Sequence, residues 1–128
     1  MLTQFTDRFI SNKDSLLKYL KTKEIDNYDD LVRIAILNSM DPDNQYDFDD
    51  PQIDEMHVMR SDDYAGTDAY IFPSVGKKRF YYTLVEYGSC SVCDSLMYAN
   101  DQEDPDVKAT ELWTLMLHVV QGLKEMSE

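Results

Sequence analysis

Apolar residues near the N-terminus recur at helical spacing. Leu2, Phe5, Phe9, Leu16 and Leu20 fall on one side of a helix, while the polar run Ser11 to Asp14 interrupts it, so the pattern predicts one long or two short amphipathic helices. After a polar link, Asn27 is placed to cap a second helix over "YDDLVRIAILNSM", ending near Met40, with Asp29 and Asp30 suiting the positive end of its dipole. The period then changes from helical to alternating. Strands are expected at Ile53 to Arg60, Thr67 to Phe72 and Phe80 to Tyr87, joined by a turn at Gly66 and by the connection "PSVGKKR". The third, "FYYTLVEY", is rich in the aromatic and β-branched residues that suit a half-buried pleated surface.

Helical spacing returns after the third strand. Ser91 and Asp94 form an S-x-x-D pattern resembling a capping box, which places a short helix start around Ser91. Asp104 as cap and Pro105 as first residue begin a final helix reaching Lys124, with Leu112, Leu115, Met116, Val119 and Leu123 as its apolar stripe. The order ααβββαα defines an α+β class: a small antiparallel three-stranded sheet packed by about four helices, in one domain over residues 1–128. Consecutive strands with short links leave no room for the crossover helices of a parallel sheet.

Charge changes the range of partners. The 128 residues include 25 acidic and 12 basic ones, a formal net charge of −13 that opposes direct binding to phosphate backbones and favours a basic protein surface. The acids concentrate between Asp41 and Asp63, where nine stand against one arginine and where Pro42 and Pro51 interrupt regular structure. No stretch reads as a bilayer span, and "MLTQFTDRFISNKD" lacks the features of a secretion signal, so a cytoplasmic protein without membrane contact is expected.

The two cysteines lie in "EYGSCSVCDSL". A strand, then CxxC, then a helix start is a setting for a reactive thiolate, yet the upstream βαβ unit of a thioredoxin-like enzyme is missing and Asp94 disfavours a nearby thiolate. Cys90 and Cys93 could instead join His57 and His118 as a zinc set, although their spacing follows no zinc-finger pattern. The simplest reading makes Ser89, Cys90, Ser91, Cys93 and Asp94 a structural strand-to-helix junction, with no metal or cofactor assigned.

A second stretch, "SDDYAGT", offers Tyr64 for stacking, Thr67 for hydrogen bonding and the carboxylates of Asp62 and Asp63, against the plainer reading of a hairpin turn at Gly66. "DPDNQYDFDD" lacks the central glycine and closing glutamate of a calcium loop.

In order, "DDYAGT", an aromatic strand, "YGSCSVCDSL" and a helix containing "LMLHVVQGLK" resemble a group of small proteins encoded by bacterial viruses and prophages. The resemblance runs from about Ile53 to Lys124, and its most specific part is YGSCSxCDxL. It implies a bacterial host cell as the setting, with no particular chemistry.

The expected function is therefore that of a small acidic accessory protein, without catalytic residues, that binds and inhibits a host macromolecule. Asp47, Asp49, Asp50, Asp62 and Asp63 would steer a basic partner, with Tyr64, Thr67 and Tyr70 adding contacts. Mimicry of DNA by the carboxylates is one version, and self-association is compatible with it. The alternative is a binder of a small anionic ligand, or a thiol-dependent enzyme, centred on the cysteine junction.

Overall fold

The break in the N-terminal helical pattern falls at Asn12, which separates α1 (Thr3–Ser11) from α2 (Lys13–Leu20). Its side-chain amide donates to the Asn38 carbonyl at 3.1 Å, tying the break to the end of α3 (Tyr28–Leu37). The computed structural model describes residues 2–40, 51–60, 66–76, 78–88 and 94–126. As the sequence predicts, Asn27 caps α3, its side chain accepting the Asp30 N–H at 2.9 Å. This cap fixes the direction in which Tyr28 and Asp29 leave the first turn.

The structure is α+β; among the described residues it has five α-helices and a four-stranded antiparallel sheet in the order β1-β2-β3-β4. The strands are β1 (His57–Met59), β2 (Gly66–Pro73), β3 (Phe80–Tyr87) and β4 (Lys124–Glu125). The bounds expected for the third strand hold. The first strand is shorter than Ile53 to Arg60, because Ile53–Glu55 winds into a 3₁₀ turn that buries Ile53. Before that turn, Gln52 donates its N–H to the Pro73 carbonyl at 2.7 Å, so the chain joins the end of β2, leaves it and rejoins as β1.

The fourth strand corrects the expected three. It arises because α5 (Pro105–Gln121) stops before Lys124, at Gly122. A side chain at Gly122 would stand 3.2 Å from Thr83 Oγ1 and from the His118 carbonyl, so this residue lets the helix end press against β3. Thr83 also donates its hydroxyl to the Val119 carbonyl at 3.0 Å. From there Lys124 and Glu125 pair with Tyr82 and Tyr81, and Met126 donates to the Phe80 carbonyl at 2.8 Å.

Alternation decides which sheet face meets the helices. Asp68, Tyr70 and Phe72 of β2 and Tyr81, Thr83 and Val85 of β3 are buried on one face, beneath a helical layer in which α5 contacts all four other helices and β3. Phe5 meets the Tyr81 ring edge-on at 5.5 Å between centroids, and Phe9 stacks on Trp113 at 5.5 Å. The opposite face presents Met59, Phe80 and Leu84, each about half exposed. No helix among the described residues is long and apolar enough to cross a membrane.

The short helix α4 (Ser95–Asn100) is also displaced from its expected start at Ser91. Its cap is Asp94 itself, accepting the Met97 N–H at 3.0 Å, so Asp94 is not the third-position partner of a capping serine. Phe72→Ala, which empties a fully buried position, is expected to lower the unfolding free energy by about 3–5 kcal/mol. Leu37→Ala, at a position 48% exposed, should change it by less than about 1 kcal/mol. Denaturant titration of the two variants beside the wild type checks both.

Candidate functional site

Three element ends converge beside the inner face of β2: the start of α3, the start of α4 and the residue that follows β1. Asp94 joins two of them. One of its oxygens accepts the Tyr28 hydroxyl at 2.8 Å and the Met97 N–H, and the other accepts the Gly88 N–H at 2.8 Å. The Tyr28 hydroxyl oxygen in turn accepts the Leu96 N–H at 3.2 Å. A carboxylate that is only 4% exposed is thereby bonded to the end of β3, to α4 and to α3.

Asp29, one residue along α3, forms the parallel arrangement. One oxygen accepts the Tyr70 hydroxyl at 2.8 Å, and the other is paired with the guanidinium of Arg60. Between these two networks lies an open cavity of about 350 Å³. Its walls include the carboxylates of Asp26, Asp29, Asp68 and Asp94, the rings of Tyr28, Tyr70 and Tyr87, and the apolar Leu96 and Met97. Asn100, also on the wall, donates its amide to the Ile25 carbonyl at 2.8 Å and holds the loop before α3 against α4.

The electrostatics follow from this packing. Burial, and then the bond to Asp29, pushes the Tyr70 hydroxyl far above the ordinary phenol range. Burial likewise raises Tyr28, the Leu96 N–H opposing this and Asp94 adding to it. Burial alone would raise Asp29, but the hydrogen bonds from Arg60 and Tyr70 outweigh it and hold the carboxyl below its usual 3.8. Both tyrosines are therefore fixed hydrogen-bond donors at neutral pH, and Asp29 is a fixed anion. Such groups suit the binding of a cation better than proton transfer, which needs a group that titrates near the working pH.

The sequence-predicted site residues are only partly brought together. Asp94 reaches the cavity wall, as a hydrogen-bonded hub. Tyr70 also reaches it, but its expected role as an exposed contact is corrected: it is 0% exposed, drawn inward because its hydroxyl has a carboxylate partner in Asp29. Thr67 is exposed near the start of β2, paired with Glu86 on the sheet face turned away from the cavity. His57 and His118 are exposed on β1 and α5, and no group of three or more metal-ligating side chains occurs among the described residues. Asp47, Asp49, Asp50, Asp62, Asp63, Tyr64, Ser89, Cys90, Ser91 and Cys93 lie outside the described residues.

Sequence reading missed Tyr28, Asp29, Arg60 and Asp68. The pair "YD" directly after the Asn27 cap was the available signal, since a first-turn tyrosine and aspartate on adjacent positions reach different neighbours. The start of α4 is already filled by the Asp94 carboxylate, the place an anionic ligand would need.

Because the folded carboxyl of Asp29 titrates below 3.8, its ion pair contributes stability above that pH, and the contribution is lost as pH falls through the folded value. The stability difference between wild type and Asp29→Asn is expected to be full at neutral pH and to shrink as the pH drops below 3.8. Urea midpoints measured across that range check the sign. No family model, curated protein or solved structure matches this chain, so the site is read from its own residues and geometry.

Proposed function

We propose that this chain is a small, non-enzymatic binding module that engages a basic macromolecule of a bacterial host and blocks its function. The viral setting is suggested by the sequence resemblance, and the charge of −13 favours a basic partner. The observation that carries the reading is the acidic, tyrosine-walled cavity, where Asp29 already binds a guanidinium supplied by Arg60 of the same chain. Arg60 is 56% exposed at its side chain, so an arginine or lysine of a partner can compete for the same carboxylate from solvent.

In this reading the charge of the whole chain steers the encounter, and the cavity selects a cationic side chain on a partner surface. Tyr28 and Tyr70 are held by Asp94 and Asp29, and the exposed carboxylate of Asp26 on the wall is placed to meet an incoming cation. The alternative of an anionic ligand has less support, because every one of these carboxylates would repel it.

Capture from bacterial lysate on immobilised protein, followed by salt titration, tests the proposal. A partner is expected whose binding weakens steeply with added salt and falls roughly tenfold or more in an Asp26→Asn, Asp29→Asn double variant. Binding indifferent to both salt and the double variant would overturn it.

The cysteines supply a separate test. In the structural reading, a Cys90→Ser, Cys93→Ser variant folds, loses at most about 1–3 kcal/mol and keeps its partner. Stoichiometric zinc in the wild type, lost together with the fold in the variant, would replace that reading with a metal site.

A further inference from the structure

The sheet face turned away from the helices is apolar and nearly free of carboxylates, in a chain that carries 25 acidic residues. Strand register places the outward residues in rows. Met59, Ala69 and Leu84 form one row, and His57, Ile71, Tyr82 and Lys124 form the next. Met59 and Leu84 are each 57% exposed and Phe80, farther along β3, is 48% exposed. Among the outward positions of the described strands, Glu86 alone carries a negative charge, and it stands at the end of β3 opposite Phe80.

We infer that this face is the contact surface for a second copy of the chain, packed sheet on sheet with its strands reversed. Its independence from the partner reading above is complete, since it uses the other side of the sheet.

The arrangement follows from the register. A two-fold axis running along the Met59–Ala69–Leu84 row lays Leu84 of one copy over Leu84 of the other. The same rotation carries Glu86 of each copy over the Tyr82 row of its mate, one strand away from Lys124. Adjacent strands are about 4.8 Å apart, so each Glu86 comes within reach of an opposing ammonium. The face is thus self-complementary in charge as well as apolar at its centre.

Size sets the strength. The two central strands have eight residues and span about 27 Å, whereas β1 has three residues and β4 two, so the face covers about 340 Å². Two such faces bury on the order of 700 Å² in total, in the range of weak, transient contacts, so the dimer is readily reversible. Added salt strengthens it by screening the repulsion between two chains of charge −13, the opposite of the effect expected for a basic partner.

Sedimentation velocity over a wide dilution series tests the inference on the full chain. The wild type is expected to pass from monomer to dimer with rising concentration, at lower concentration in higher salt. Leu84→Glu, at a solvent-exposed position, should weaken association roughly tenfold or more while leaving the circular dichroism spectrum unchanged. Glu86→Lys should weaken it, and the swap Glu86→Lys, Lys124→Glu should restore it, which a nonspecific apolar contact would not do. A wild type that stays monomeric throughout would overturn the inference, as would a dimer unaffected by Leu84→Glu. A monomeric wild type that loses a captured lysate protein on Leu84→Glu would assign the face to that protein instead. Failure of the swap to rescue would overturn the strand-reversed arrangement.

Discussion

A buried carboxylate must have hydrogen-bond donors on both oxygens or it will not remain buried and ionised. Asp94 meets that requirement with donors from three separate elements: the Gly88 N–H after β3, the Met97 N–H of α4 and the Tyr28 hydroxyl of α3. The position of α4 depends on it. This helix has only six residues, too short to persist by its own backbone bonds, and its first turn is held by the same carboxylate that holds α3. Asp29 does for β2 and the end of β1 what Asp94 does for β3 and α4, through Tyr70 and Arg60.

The two networks leave a cavity between them whose character follows from their own needs. Each uses a tyrosine hydroxyl as donor, so the walls carry aromatic rings, and each centres on an aspartate, so the walls carry negative potential. A surface assembled to satisfy one buried and one partly buried anion is in this way also suited to an external cation. On the other side of the sheet no such networks exist among the described residues, and the outward row is apolar. The molecule thus has two faces of opposite chemistry separated by the thickness of one sheet.

Much of the fold was legible because its signals are local. The alternation of "FYYTLVEY", the Asn27 cap and the Asp104–Pro105 start each act within one turn or one strand, and each places its element where the structure has it. What was not legible depends on distant partners. Tyr70 looks like an exposed aromatic until Asp29, 41 residues earlier in the chain, takes its hydroxyl. Asp94 fits two roles in a capping motif, and the choice between them is made by Gly88 and Tyr28, which no local pattern connects to it. Lys124 and Glu125 continue a helical pattern by sequence, yet the close approach at Gly122 and the open edge of β3 turn them into a strand. For the candidate site the loss is larger: the sequence indicated Asp94 and Tyr70, but the cavity exists only through Tyr28, Asp29 and Arg60, whose roles are tertiary.

The dependence of this architecture on the Asp94 hub is measured most directly by a double-mutant cycle between Tyr28→Phe and Asp94→Asn, read as unfolding free energies in denaturant. A favourable coupling of about 1–3 kcal/mol between the two side chains is expected, since their hydrogen bond is charged and largely removed from water. Additive effects, with a coupling near zero, would contradict a hub that binds α3 to α4.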